Sequence, residues 1–182
     1  MEKYSWAKDA CLTMDSKNPL VVLEELMKLP SCHMHGPEHH VLVGSALLTA
    51  FSNAGGQIPG GLSVALGEMC SRGEQVPGGA CGQWGACGAA ISAGIFMSLV
   101  VASSPLAGPE WKLPNQMTAA ALGAIGSCGG PRCCKRDSYL ALSAAVTFVR
   151  EQLQVDMEWT KPACSRSPLN QQCLGSSCPF HL

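Results

Sequence analysis

Apolar residues return every three or four positions along most of this chain, and glycine and proline interrupt them at short intervals. That rhythm predicts helices joined by turns. Asn18 can cap a first helix with Pro19 at its opening position, and Leu20, Leu23, Leu26 and Met27 form its stripe until Pro30 stops it. A second helix is expected from about Pro37 to Asn53, closed by Gly55 and Gly56. A third, about Gly60 to Arg72, carries Leu62, Leu66 and Met69. Next comes a stretch from Gln75 to Pro109 without a charged residue or histidine, of which only about Gly88–Ser103 reads as continuous helix. Ala90, Gly94 and Ser98 lie four apart there, a small-residue face that admits a close neighbour. The glycines and prolines around it argue for a buried central helix and against a membrane span. Asn115–Ile125 gives a shorter helix, and Pro131–Gln154 a long amphipathic one with Leu142, Ala145, Val146 and Val149 on one side. No alternating Val/Ile/Thr-rich run indicates a strand.

The expected fold is therefore all-α, a compact helical bundle around a buried Gly/Ala-rich helix. Its 182 residues read as a single domain, and such a chain can bury roughly 70% of its unfolded surface. Residues 1–17 form an N-terminal extension, 18–159 the helical core and 160–182 a tail rich in Cys, Pro, Ser and Gln. The tail lacks an apolar period, so metal is the expected source of its order.

Charge narrows the functional classes. With 14% charged residues and a net charge of −1 the chain has no basic footprint for nucleic acid or for a membrane surface. Cysteine is the anomaly, at 11 residues. The N-terminus is charged and lacks the apolar centre of a signal peptide, which points to a cytoplasmic protein with reduced thiols. Metal or redox use is the reading, apart from the isolated Cys11 and Cys70, which suit a core.

Four stretches carry the chemistry. "SCHMHGPEHH", residues 31–40, gathers Cys32, four of the five histidines and Glu38. Gly36 and Pro37 set a helix start, so Glu38, His39 and His40 fall beside unsatisfied amides that favour an anion and a neutral imidazole. Those three are the expected acid–base residues, with Cys32 and His35 as ligands in the preceding loop. "GGACGQWGACGAA" places Cys81 and Cys87 in a glycine-rich loop, Cys87 where the buried helix begins, and such a position lowers a thiol's pKa. These two are read as cofactor-binding. "SCGGPRCCKR" repeats the Gly-Pro, charged residue, two-ligand order with Cys133 and Cys134. Adjacent helical residues diverge by about 100°, so these two are expected to play different roles. Arg132, Lys135 and Arg136 nearby would favour thiolate or an anionic cluster. The tail adds Cys164, Cys173, Cys178 and His181, able to close a tetrahedral zinc site alone or to join Cys128, Cys133 or Cys134 at an iron–sulfur cluster.

The set "CHMHGPEHH", "CGQWGACGAA", "GPRCCKR" and the tail cysteines resembles a prokaryotic cysteine- and histidine-rich family known only as domain of unknown function family 5714, over about residues 28–182. The resemblance implies occurrence alone or joined to S-adenosylmethionine-dependent methyltransferase or radical-SAM proteins, largely in anaerobes, so such an enzyme is a partner to expect. It carries over the residues already named: Cys32, His35, Glu38, His39, His40, Cys81, Cys87, Cys128, Cys133, Cys134, Cys164, Cys173 and Cys178. The "CGAA" loop is also similar to a redox-associated Cys-Gly-Cys-Ala family. No methyltransferase glycine loop is present. Together these features predict a cytoplasmic iron–sulfur or zinc protein that performs or supports redox, sulfur- or methyl-transfer chemistry. The alternative is a non-catalytic metal carrier or accessory module, and a homo-oligomer is open to either.

Overall fold

The structure, a computed structural model, describes residues 3–182. It is helical: α1 Ser5–Cys11, α2 Pro19–Lys28, α3 His39–Asn53, α4 Leu62–Glu74, α5 Ala80–Gln83, α6 Gly88–Val100, α7 Pro109–Cys128 and α8 Cys134–Leu153. Two 3₁₀ turns, Ser167–Leu169 and Gly175–Ser177, follow in the tail. Among the described residues the only β pairing is an isolated bridge between Cys164 and His181. Among the described residues no helix is long and apolar enough to cross a membrane.

The centre is shared between two helices. In α3 every residue from His39 to Phe51 is buried, while α6 buries Gly88, Ala89, Ala90, Ser92, Ala93, Gly94, Phe96, Met97 and Val100. The expected central helix is thus α6, and α3, whose apolar run is just as unbroken, lies against it. Small residues allow the approach: Gly44 of α3 donates its N–H to Ser92 Oγ of α6 at 2.8 Å. On the opposite side Gly94 faces α7, where a Cβ would overlap Thr118 Oγ1 and stand 3.2 Å from the Pro114 carbonyl.

Sequence signals and structure agree closely at α2, whose Asn18 side chain accepts the Leu20 N–H at 3.0 Å with Pro19 at the first position. They differ at α5, which forms within the expected glycine-rich loop, and at three longer helices. The helix expected from Asn115 begins at Pro109 and runs through Pro114. A proline removes one amide donor without forbidding the helix when packing on α6 holds both sides of it. The helix expected from Pro131 starts at Cys134, with Cys133 extended at the N-cap. Before Asn18, where no helix was expected, α1 inserts Ala7 and Cys11 into the core.

Contacts to the helical core hold the tail. Phe180 is buried and meets Tyr139 edge-on at 5.4 Å. Arg166 pairs with Glu24 of α2 at 2.7 Å and donates to the Tyr139 hydroxyl at 3.0 Å. The Cys164 N–H reaches the Phe180 carbonyl at 2.7 Å. The sequence reading, which looked to metal for the order of this segment, did not register Phe180, because one aromatic makes no period.

Candidate metal centre and the adjoining cavity

Three helix starts and the tail come together at one end of the bundle and enclose two cavities. The first is small, about 20 Å³, room for little more than a water-sized body. Cys133 from the α8 N-cap and Cys164, Cys173 and Cys178 from the tail all line it, with Tyr139 and Phe180 as apolar wall. All four are free thiols. Donors point at two of the sulfurs: Asn170 Nδ2 to Cys133 Sγ at 3.5 Å, and the Gly175 N–H to Cys173 Sγ at 3.3 Å. The amides of Lys135 and Arg136 add to the set on Cys133. Such N–H···S bonds stabilise a charged sulfur, as they do around clusters and metal-bound thiolates.

The second cavity, about 270 Å³, lies where α3, α6 and α8 begin. His35, His39, His40, Cys81, Cys87, Cys134, Arg132 and Asp137 line it. The hydrogen bonds settle which imidazole nitrogens remain open. His40 donates Nδ1–H to the Val76 carbonyl at 3.0 Å, which makes Nε2 its lone-pair nitrogen. The ring lies flat on Gly88, where any Cβ would overlap it. His35 donates Nε2–H to Asn170 Oδ1 at 3.1 Å, and its Nδ1 is buried with no partner. His39 is committed at both ends: Nδ1–H to the Gly36 carbonyl at 2.9 Å, and Nε2 accepting from Lys135 Nζ at 3.0 Å.

Charge in this region is tightly managed. Arg136, buried in the first turn of α8, donates to Asp137 Oδ1 at 3.1 Å and to the carbonyls of Gly129 and Pro131 at 2.8 and 2.9 Å. It thereby clamps the loop before α8 and aims Asp137 Oδ2 toward Cys87 Sγ, 3.9 Å away. Burial raises the Asp137 carboxyl despite that arginine. Burial also pushes Cys87 up to about 12, with the Asp137 carboxylate adding to the effect, and raises Cys133 and Cys134. The expectation of acidic thiols at these helix starts is corrected: desolvation outweighs the helix amides. The neutral imidazoles do follow expectation, though from another cause. Burial first, then the Lys135 ammonium, depresses His39 to about 3, and burial lowers His40 as well.

A third cluster lies beside these. Among the described residues, the only three donors whose ligand atoms all lie within 4.8 Å of one another belong to Cys32, Glu38 and His39. They could hold a metal ion. The Lys135 ammonium stands among them, 3.2 Å from Cys32 Sγ and 2.8 Å from the His33 carbonyl, so a metal ion would have to displace it. Glu38 turns back into the loop, accepting the His33 N–H at 2.7 Å and its Nδ1 at 3.2 Å.

The structure therefore gathers His35, His39, His40, Cys81, Cys87 and Cys134 at one cavity and Cys133, Cys164, Cys173 and Cys178 at the other. Cys32 and Glu38 join the Lys135 cluster, and Cys128, the last residue of α7, lines neither cavity. Sequence reasoning missed Asn170 and Asp137. Asn170, buried in the tail, bonds Cys133 on one side and His35 on the other, yet a single asparagine in a polar segment carries no signal. Asp137 falls in the first turn of α8, where an acidic residue reads as an ordinary helix-dipole partner.

The model of a family of unknown function, DUF5714, matches residues 7–181, and the chain belongs to that family. No curated protein and no solved structure matches it.

Proposed function

We propose that this member of the family is a cytoplasmic metalloprotein, with an iron–sulfur or zinc centre at Cys133, Cys164, Cys173 and Cys178. Its role is to perform or support redox, sulfur- or methyl-transfer chemistry at the adjoining cavity. One observation carries the reading: four thiols from two distant parts of the chain line the same small cavity. Four thiolates are a complete ligand set for zinc or for a cluster. Tyr139 and Phe180 give the cavity an apolar wall, and the amide donors would offset the charge that metal-bound thiolates carry. These sulfurs lie farther apart than the ligand atoms of the Cys32 set, so binding would draw the tail inward. Cys133 and Cys134 are adjacent in sequence but line different cavities. Neighbours at a helix start point about 100° apart, so a metal centre at the first cavity would adjoin the reaction space proposed at the second.

The accessory-module alternative finds support in α7, of whose twenty residues only Met117 and Ala121 are buried. That helix leaves room for a partner enzyme of the methyltransferase or radical-SAM kind. Anaerobic purification with iron, zinc and acid-labile sulfide analysis tests the central claim. The wild type should carry metal in stoichiometric amount, and Cys173→Ala and Cys178→Ala should each lower it severalfold. Metal content unchanged by both substitutions would refute the assignment.

A further inference from the structure

The contact between Cys32 and Lys135 joins two parts of the chain that the four-cysteine centre leaves unused. Cys32 lies half-buried in the loop between α2 and α3, and Lys135, the second residue of α8, is 2% exposed. Its Nζ stands 3.2 Å from Cys32 Sγ, held there by the His33 carbonyl at 2.8 Å and His39 Nε2 at 3.0 Å. Three acceptors around a buried side chain fix the amine against this sulfur in one arrangement, the condition under which neighbouring groups react as one molecule. Among the described residues no carboxylate forms an ion pair with Lys135. The ammonium therefore carries a desolvation cost that no ion pair offsets, and a covalent bond that discharged it would remove that cost. The other neighbours of Cys32 Sγ are the His33 carbonyl at 3.6 Å and His39 Nε2 at 3.9 Å, with no second thiol among its partners. An oxidised Cys32 thus has an amine, and not a thiol, beside it.

We propose that Cys32 and Lys135 form a redox-sensitive modification site, in which hydrogen peroxide joins Sγ to Nζ and a small thiol releases them. In the first step the peroxide O–O bond breaks and an S–O bond forms. Sulfur loses two electrons to the peroxide, one water leaves, and Cys32 becomes a sulfenic acid. In the second step Nζ gives one proton to solvent and its lone pair attacks the sulfur. The S–N bond forms as the S–O bond breaks, and the departing hydroxyl takes a further hydrogen from nitrogen to leave as a second water. The product is a neutral sulfenamide, by the condensation that sulfenic acids also undergo with backbone nitrogen. A thiol reverses it: the incoming sulfur attacks Cys32, the S–N bond breaks, the amine recovers its protons, and a second thiol resolves the mixed disulfide. Burial raises the Cys32 thiol and Lys135 opposes the rise, so selectivity lies in the amine at its side rather than in an acidic thiol. The link would pin to α8 a loop whose His35 and Gly36 line the second cavity, and would withdraw Cys32 from the set it forms with Glu38 and His39. The site shares no residue with the four-cysteine centre and does not rest on it.

The test uses the full-length protein, reduced anaerobically, freed of reductant and treated with a few equivalents of hydrogen peroxide. Remaining thiols are blocked with iodoacetamide, and the digest is read by mass spectrometry. The peptides containing Cys32 and Lys135 should appear joined, lighter by two hydrogen atoms than their sum. The joined species should be at least tenfold more abundant in the folded protein than in chain oxidised in urea, and dithiothreitol should remove it. Lys135→Arg keeps a cation at that position and should leave Cys32 as a sulfenic acid that dimedone traps. Wild-type Cys32 recovered as a dimedone adduct, a higher oxide, a disulfide or an unmodified thiol, with no link to Lys135, would overturn the inference. A link that formed equally in urea, or that dithiothreitol failed to open, would overturn it as well. Each of these deciding outcomes is read on the wild type, so a variant that fails to fold leaves the test intact.

Discussion

Lys135→Met replaces a buried ammonium with an apolar chain of similar length. Lys135 is 2% exposed, and its Nζ donates to the His33 carbonyl, His39 Nε2 and Cys32 Sγ at 2.8, 3.0 and 3.2 Å. Hydrogen bonds from a charged donor contribute about 1.5–3 kcal/mol each, giving a gross loss of about 5–9 kcal/mol. Two effects reduce it. The folded protein no longer has to strip water from a cation, which costs several kcal/mol. Cys32 and the His33 segment are also partly exposed, so water can replace the lysine there. The acceptor left without a substitute is His39 Nε2, on a ring 1% exposed. The expected net loss is about 2–4 kcal/mol, read as a lower urea midpoint at unchanged slope.

The same substitution makes a second, opposite prediction. With the ammonium gone, Cys32, Glu38 and His39 keep ligand atoms within 4.8 Å of one another, so Lys135→Met should gain one equivalent of zinc over wild type. Zinc would then restore part of the lost stability by binding only the folded form. Unaltered stability together with unaltered zinc stoichiometry would refute the view that this lysine stands in for a cation.

Two further tests address the scaffold and its protonation. Gly94→Leu should lower stability by about 3 kcal/mol or more, because even a Cβ overlaps Thr118 and approaches the Pro114 carbonyl of α7; a thermal midpoint equal to wild type would show that α6 and α7 do not pack as described. His39, held near 3 when folded against 6.5 for an unperturbed histidine, binds fewer protons folded than unfolded. Its contribution is therefore complete above pH 6.5 and is lost as the pH falls toward 3. Urea unfolding at pH 7.5 and pH 5 should differ by about 2 kcal/mol, with His40 adding in the same direction. In His39→Gln that difference should shrink, and a wild-type midpoint independent of pH over this range would contradict a buried neutral imidazole.

What the sequence determined by itself was local. The spacing of Leu20, Leu23, Leu26 and Met27, the Asn18–Pro19 start and the glycine breaks specify helices, because period and caps act over a few residues. The crowding of Cys and His at Gly-Pro turns marked residues that the fold gathers around two cavities, since helix starts aim side chains in a known way. The tertiary structure decided the groupings. That Cys133 meets the tail while Cys134 meets Cys87 depends on how α8 is rotated against α3 and α6. That Glu38 and His39 belong to Lys135, 96 residues beyond His39, depends on a contact no local pattern encodes. The thiol pKa values followed burial rather than the helix amides, and burial is a property of the assembled core. Asn170 is the clearest case: its role exists only because folding brings residues 35, 133 and 170 within hydrogen-bonding distance.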